Sequence, residues 1–208
     1  MLSRLHRFRW LAVALGVVPT ALVVLAVVGA TAGGTHSSAP AASPHELTGP
    51  PAWPRNVEGL RNRLDALGLP ALAAEGSSLH YHVHLDLFVN GKRVTVPAGV
   101  GIAPGDVFFS PLHAHDTTGV VHIESARVRP FTLGEFFGVW GVPLTSRCFG
   151  GHCAGGARRL SVYVDGKRLA GDPAALILEP HQEIVVTFGT GSELSRPIPS
   201  SYAFPAGL

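Results

Sequence analysis

The run L-H-Y-H-V-H-L-D-L-F-V at residues 79–89, with N-G directly after it at 90–91, decides the fold class of this chain. Histidine or aspartate alternates with aliphatic or aromatic side chains through residues 79–87. Successive side chains of a β-strand point to opposite faces, so the alternation predicts a strand with one polar and one apolar face. Asn-Gly after such a strand is the strongest short-range hairpin signal. We therefore predict a β-hairpin here.

Further strand-like runs indicate that β-structure dominates the chain. They lie at 93–96, 107–110, 120–124, 160–164, 175–178 and 183–188. Helical periodicity predicts one short helix after Asn56, which would be its cap, and another over Thr132–Trp140. We predict a mainly β fold with one or two short helices, in which residues 55–78 form a short helix and connection. Residues 79–208 would form a single compact β-sandwich or barrel-like domain.

Two segments of the chain resemble each other. L-D-L-F-V-N-G-K-R-V at 85–94 and L-S-V-Y-V-D-G-K-R-L at 160–169 are both predicted to be a strand, a type I′ turn and a return strand. A duplicated unit, with the two hairpins packed face to face, would explain the likeness. Convergence explains it as well, because Asn-Gly and Asp-Gly are the preferred I′ turns, and we favour convergence.

The N-terminal residues have the pattern of an export signal. Residues 1–9 contain arginines and no acid, and residues 10–30 carry no charge. Such a run is long enough to cross a hydrocarbon core of about 30 Å, and A-T-A at 30–32 matches a signal-peptidase site. We therefore predict a signal peptide or signal anchor over 1–32, that is, an N-terminal transmembrane or signal helix. The protein would lie at the cell membrane with an extracytoplasmic domain, or be secreted after cleavage near Ala32.

Composition limits the partners of the exported part. Residues 33–54 are rich in Gly, Ser, Ala and Pro, which predicts a disordered tether. The chain has 16 basic and 14 acidic residues, and removing residues 1–32 takes away three Arg and no acid, leaving 13 and 14. A nearly neutral domain has no cationic face for a nucleic acid, so we expect no nucleic-acid partner. The membrane, through the N-terminal segment, and a metal ion are the expected partners.

Six of the eleven histidines fall between residues 80 and 122, in two groups. In the first group His80, His82, His84 and Asp86 share the polar face of the predicted strand. A rise of about 3.3 Å per residue spaces these side chains about 6.5–7 Å apart in a line.

The second histidine group is H-A-H-D-T-T-G-V-V-H-I-E at 113–124, with turn-forming residues in its middle. A two-residue loop at Thr117 and Thr118 would place His113 opposite His122 and leave His115 on the same face. Directly opposed residues have Cβ atoms about 4.5–5.5 Å apart, close enough to share an ion. A loop one residue longer or shorter would turn His122 to the other face.

Imidazoles converging from a stiff sheet, with a carboxylate nearby, favour Zn or Cu. The predicted ligands are His113, His115 and His122, with His82 and His84 as a second limb. His80 and Asp86 are further candidate ligands on the same strand face. Asp116 and Glu124 are candidates for a fourth ligand, an outer hydrogen-bond acceptor or a catalytic base.

Three functions fit these residues. The preferred one is an extracytoplasmic transition-metal-binding protein. The first alternative is a zinc-type metalloenzyme, a hydratase or hydrolase, on the same ligands. The second is a non-catalytic interaction module with structural or pH-responsive histidines. Whether the histidines form one metal site or two stays open at this point.

The two cysteines are close in sequence. Cys148 and Cys153 are separated by F-G-G-H, and outside the cytoplasm this spacing predicts a local disulfide. The competing interpretation is a soft-metal clip that also uses His152.

Four segments also resemble a family of exported or membrane-anchored bacterial proteins of no assigned activity. They are H-Y-H-V-H-L-D-L-F-V-N-G-K (80–92), L-H-A-H-D-T-T-G-V-V-H-I-E-S (112–125), F-T-L-G-E-F-F-G-V-W-G-V (131–142) and the stretch from G-D-P to E-P-H-Q-E-I-V-V-T-F-G (171–189). The resemblance covers nearly all of residues 70–208. It implies one domain of shared architecture and carries no activity over to this chain.

Overall fold

A large β-sheet organises the molecule, and its middle strand is the run of alternating histidines. The computed structural model describes residues 46–75, 78–194 and 196–208; the predicted signal or anchor segment and residues 33–45 of the predicted tether lie outside them. The strands are β1 (Leu79–Val89), β2 (Lys92–Val94), β3 (Val100–Ile102), β4 (Phe109–Ala114), β5 (Val120–Ser125), β6 (Cys148–Phe149), β7 (His152–Cys153), β8 (Arg159–Val164), β9 (Lys167–Arg168) and β10 (Glu183–Gly189). The helices are α1 (Leu60–Leu67) and α2 (Leu133–Trp140), and short 3-10 turns occur at Pro104–Asp106 and Pro173–Ala175.

Eight of these strands form one sheet. Its order is β3-β4-β5-β1-β10-β8-β9, and β2 pairs with β1 beside this path. β1 runs antiparallel to β5 and β2 and parallel to β10. β6 and β7 form a separate two-stranded hairpin. The prediction of a mainly β fold with one or two short helices is confirmed, and the described residues contain two.

The core lies on the apolar face of the sheet. The side chains that alternate with the β1 histidines, among them Val83 and Leu85, are buried there with Ile184 of β10. Both helices contribute to the same core, α2 most of all through Phe136 and Trp140. Burying one such side chain contributes about 1.5–3 kcal/mol, so this face determines the register of the sheet.

Helix α2 begins and ends with clear local signals. Thr132 accepts a hydrogen bond from the backbone N–H of Glu135, and the Glu135 carboxylate accepts one from the backbone N–H of Thr132. This capping box satisfies two donors that a helix start otherwise leaves unpaired. Gly141, in the left-handed conformation, ends the helix.

Helix α1 begins later than the sequence suggests. Asn56, the expected cap, has φ 47° and its carbonyl accepts a hydrogen bond from Arg63. The helix starts at Leu60 after Gly59, whose φ is 65°. Asn56 therefore belongs to the loop before the helix.

The two similar segments form similar hairpins but do not pack face to face. Asn90 and Gly91 have φ of 51° and 76°, and Asp165 and Gly166 have φ of 50° and 75°, as type I′ turns require. Their first strands, β1 and β8, lie on either side of β10 in one sheet. The arrangement suits the interpretation that turn chemistry made them alike.

The strand predicted over 175–178 does not form, and the strands β3, β6 and β7 were not predicted. The segment 175–178 has only an isolated bridge, between Ile177 and Thr132, because Asp172 caps a 3-10 turn at Pro173–Ala175. Strand β3 was not foreseen, since V-G-I is short and has Gly101 at its centre. Gly101 has φ 75°, and a Cβ there would lie 2.4 Å from the Leu112 carbonyl oxygen, so the strand requires glycine at this position.

Residues 46–54 pack on the domain, where the sequence suggested a tether. Trp53 is 4% exposed, and its ring meets Phe149 and Trp140 edge-on with centroids 5.0 and 6.1 Å apart. The backbone N–H of Leu47 donates to the Gly141 carbonyl. Neither helix in the described part of the chain has the length and apolar character needed to cross a membrane.

The two cysteines lie at disulfide distance across the β6–β7 hairpin, with Cys148 opposite Cys153. The ring of His152 lies between Trp53 and Phe188, at centroid distances of 6.4 and 5.4 Å. This placement agrees with the predicted disulfide, and the His152 ring packs against aromatic side chains.

Candidate metal centre

Three neighbouring strands carry the histidines to one face of the sheet. In the β4–β5 pair His113 lies opposite His122, which confirms the register predicted from a two-residue loop at Thr117 and Thr118. In the β5–β1 pair His122 lies opposite His82. Three imidazoles therefore stand side by side across three strands. β5, in the middle, is the strand that joins the two histidine groups.

The next positions along these strands extend the cluster. His80 of β1 lies opposite Glu124 of β5, and side chains two residues apart on a strand share a face. His115 follows His113 at this spacing. The polar face of β1, β5 and β4 therefore carries five imidazoles and a buried carboxylate.

One donor atom from each of four residues forms a closed loop of short distances. His80 Nε2 lies 3.0 Å from His82 Nε2, which lies 3.1 Å from His122 Nδ1. His122 Nδ1 lies 3.2 Å from Glu124 Oε1, which in turn lies 3.2 Å from His80 Nε2. We call these four residues the first ligand group. The rings of His80 and His82 lean together, so they are much closer than strand spacing alone suggests.

The size of this loop suits a transition-metal ion. Ligand atoms at about 2.0–2.1 Å from a tetrahedral ion lie about 3.3–3.4 Å from one another. Neighbouring ligand atoms in a square plane lie about 2.8–3.0 Å apart at the same bond length. The observed distances of 3.0–3.2 Å fall between these values. The first ligand group is therefore close enough to hold a metal ion.

A second ligand group lies beside the first and consists of His113, His115 and Glu75. His115 Nε2 lies 3.1 Å from His113 Nε2 and 3.0 Å from Glu75 Oε1, and the distance from His113 Nε2 to Glu75 Oε1 is 3.9 Å. His113 is fully buried, and its Nδ1–H donates to the Ser110 carbonyl at 2.9 Å. That hydrogen bond fixes the tautomer of His113 and leaves its Nε2 lone pair free to face the other donors of the second ligand group.

Burial keeps the central imidazoles neutral. Burial first, and the neighbouring imidazoles second, lower the pKa of His82 to about 4 and that of His122 to about 3. Burial also lowers the pKa of His113 to about 4, although its hydrogen bond to Ser110 acts in the opposite direction. Neutral imidazole is the form that binds a metal ion, so these side chains need no deprotonation at pH 7.

His84 and Asp86, on the same strand, belong to a different cluster. His84 Nδ1 lies 2.6 Å from Glu183 Oε2, and its Nε2–H donates to the Thr118 carbonyl at 2.9 Å. Asp86 forms an ion pair with Arg93. The ligand atoms of His84, Asp86 and Glu183 lie within 4.8 Å of one another, but both His84 nitrogens and the Asp86 carboxylate already have partners. The structure thus brings His80 and His82 to His122, and leaves His84 and Asp86 apart.

The C-terminal segment covers this separate cluster. The ring of Tyr202 stacks on His84 with centroids 3.7 Å apart and planes 5° from parallel. Phe204 contacts Tyr202 edge-on and also lies against His181. These contacts hold His84 in place and shield it from solvent.

Asp116 shapes the loop between β4 and β5. It accepts hydrogen bonds from the backbone N–H and the hydroxyl of Thr118, and these lower the pKa of its carboxyl group. β4 ends at Ala114 and β5 begins at Val120, so the connection runs over 115–119 and is longer than the predicted two-residue loop, although the predicted register is kept. Asp116 stabilises this connection through Thr118. Its carboxylate is bound to the loop, whereas Glu124 takes the position among the imidazoles.

Two carboxylates of the histidine face were not identified from the sequence. Glu75 lies in a stretch without strand or helix periodicity, so no local pattern links it to His115. Glu183 is 99 residues from His84 in the sequence, and the two meet only because β10 pairs in parallel with β1. For Glu183 the one available signal was its position at the start of an alternating strand.

The fold and the donor atoms define a mainly β domain with a candidate transition-metal centre on its polar face. Comparison with known proteins gives no match among protein-family models, curated proteins or solved structures.

Proposed function

We propose that this protein is an extracytoplasmic metal-binding protein that holds Zn²⁺ or Cu²⁺ in the first ligand group. The observation that carries the proposal is the closed loop of four donor atoms, each 3.0–3.2 Å from the next. All four donors come from paired strands, where His80 lies opposite Glu124 and His82 opposite His122. Such backbone pairing holds the ligands in place before the ion arrives, which lowers the entropic cost of binding.

Exposure differs within the group in a way that suits ion entry. The His80 side chain is 49% exposed, whereas that of Glu124 is 2% exposed. An ion can reach the group from solvent at His80 and is then held against a buried carboxylate. The charge of Glu124 offsets part of the charge of the ion, and a buried charge is stable only with such a partner.

The number of protein donors favours a binding role over catalysis. A catalytic zinc site has three protein ligands and leaves one position open for water or substrate. The first ligand group offers four donors, with Glu124 as one of them. This supports a binding protein more than a hydratase or hydrolase in which Glu124 would act as a base.

The extracytoplasmic location is part of the proposal. The basic, then uncharged, N-terminal sequence over 1–30 supports it. The pairing of Cys148 with Cys153 supports it as well, because disulfides persist in oxidising compartments.

Metal binding is tested with the full chain, purified in detergent and dialysed against Zn²⁺ or Cu²⁺, followed by elemental analysis and thermal unfolding. We expect retained metal and a raised Tm, since a ligand present at 100 times its Kd stabilises the folded state by about 2.7 kcal/mol. Glu124→Gln keeps the shape of the side chain and removes its charge, and we expect it to weaken binding at least about 10-fold.

The matched control is His181→Asn, which removes a histidine outside both ligand groups. His181 has φ 61°, a conformation that Asn tolerates. The control should bind metal like the unaltered chain. A chain that retains neither metal, with no rise in Tm, would refute the proposal.

A further inference from the structure

We propose that the same face holds a second metal ion in the second ligand group, so that the centre is dinuclear. The inference rests on the proposed metal-binding function and deepens it. The two groups together supply seven donor residues: His80, His82, His113, His115, His122, Glu75 and Glu124. A single tetrahedral ion accepts four ligands, so one such ion cannot use all seven donors.

The second ligand group has the dimensions of a site in its own right. Its distances of 3.0 and 3.1 Å around His115 Nε2 match those in the first group. His113 is 0% exposed, and its Nε2 atom lies on the side of His115, Glu75 and Glu124. A buried imidazole whose tautomer is fixed by a backbone carbonyl, as here by Ser110, is the usual arrangement around a bound metal.

The two ligand groups meet at β5. The ring of His122 lies 4.3 Å from that of His82 on β1 and 4.6 Å from that of His115 beyond β4, measured between centroids. The donor atoms of His113, His115 and His122 all lie within 4.8 Å of one another. His122 is therefore within reach of both groups.

Glu124, two residues further along β5, also lies between the groups. Its Oε1 atom is 3.2 Å from His80 Nε2 in the first group and 3.9 Å from His113 Nε2 in the second. Carboxylates often join paired metal ions about 3.5–4 Å apart. β5 thus presents two residues that can bridge two ions.

An imidazole ring that binds both ions, one through each ring nitrogen, must lose a proton. A neutral imidazole gives one ring nitrogen to the first ion and carries a proton on the other nitrogen. When the second ion binds that nitrogen, the proton leaves to solvent and the ring becomes an anionic imidazolate. Two divalent cations on the same ring stabilise this anion, so the second binding event releases one proton more than a carboxylate bridge does.

The test is metal stoichiometry combined with Cu²⁺ electron paramagnetic resonance (EPR) on the full chain in detergent. We expect two Zn²⁺ per chain, and two Cu²⁺ whose integrated EPR signal falls below the copper content, because two Cu²⁺ ions on a shared ligand couple magnetically. His115→Ala removes a donor of the second group alone, and His80→Ala one of the first group alone. Each variant should bind one ion and recover the full EPR signal per copper.

Both variants change side chains that are nearly half exposed, 42% for His115 and 49% for His80, so the fold should persist. His181→Asn is again the control and should bind two coupled ions. One ion per unaltered chain, or two ions with full EPR intensity, would overturn the dinuclear centre and leave the proposed function intact. No bound ion at all would refute both.

Discussion

The buried imidazole of His113 makes the stability of the metal-free protein depend on pH. An unfolded histidine has a pKa near 6.5, and folded His113 has a pKa of about 4. At a pH between these two pKa values, the unfolded chain binds more protons than the folded chain. Stability therefore falls as the pH falls through this range, and the contribution of His113 stops changing below about pH 4.

The size of the effect follows from the two pKa values. Each unit of pKa difference corresponds to about 1.36 kcal/mol, so between about pH 7.5 and about pH 4.5 His113 accounts for a loss on the order of 2–3 kcal/mol. His82 and His122 have lowered pKa values and act in the same direction.

The perturbation is His113→Asn. The Asn amide nitrogen can donate to the Ser110 carbonyl as Nδ1–H of His113 does, and it does not titrate. We expect the variant to lose less stability than the unaltered chain between about pH 7.5 and about pH 4.5, by an amount on the order of 2–3 kcal/mol. Urea unfolding with excess EDTA at each pH measures this difference, and titration of groups that do not interact with His113 cancels in the comparison. His113 contributes to the lowered pKa of His122, so the variant also reduces the contribution of His122. An unchanged pH dependence in the variant would refute the reasoning.

Three other substitutions test the fold by urea unfolding at neutral pH. Trp53→Ala should cost about 3–5 kcal/mol, because it removes a buried ring that contacts Phe149 and Trp140; a loss below 1 kcal/mol would mean that residues 46–54 act as a loose tether. Thr132→Ala should cost about 1 kcal/mol by removing the cap of α2, whereas Thr132→Ser should cost little. Cys148→Ser with Cys153→Ser should cost about 2 kcal/mol, since the closed loop is short, and equal stability of reduced and oxidised protein would contradict this.

Local patterns predicted much of the sheet. Alternation from Leu79 to Val89 and the turn pair Asn90-Gly91 are properties of neighbouring residues, and the structure has both. The register of His113 against His122 was also predicted correctly, although the strands are joined by residues 115–119 and not by a two-residue loop at Thr117–Thr118. Strand β3 was not predicted, because Gly101 interrupts its pattern. Glycine is required there by the close approach of the Leu112 backbone, which depends on tertiary packing.

Features that depend on distant pairing were not predictable from local patterns. His82 meets His122 because β1 and β5 are neighbours in the sheet, and alternation alone does not say which strands pair. His84 was grouped with the other β1 histidines, but β10 brings Glu183 to it from the opposite edge of β1. Composition places Trp53 in a tether, because composition is averaged over a whole segment. The average does not show that this one large aromatic side chain is buried in the core.

The side-by-side imidazoles of His82, His122 and His113 also affect how the strands separate when the sheet unfolds. His82 and His122 are 40 residues apart in the chain and face each other on adjacent strands. An ion held by both would act as a reversible cross-link that closes this segment into a loop. Like a disulfide, it would restrict the unfolded chain and oppose separation of the central strands, but a chelator could remove it without breaking a covalent bond. Pulling β1 away from β5 would then require breaking coordination bonds together with the backbone ladder.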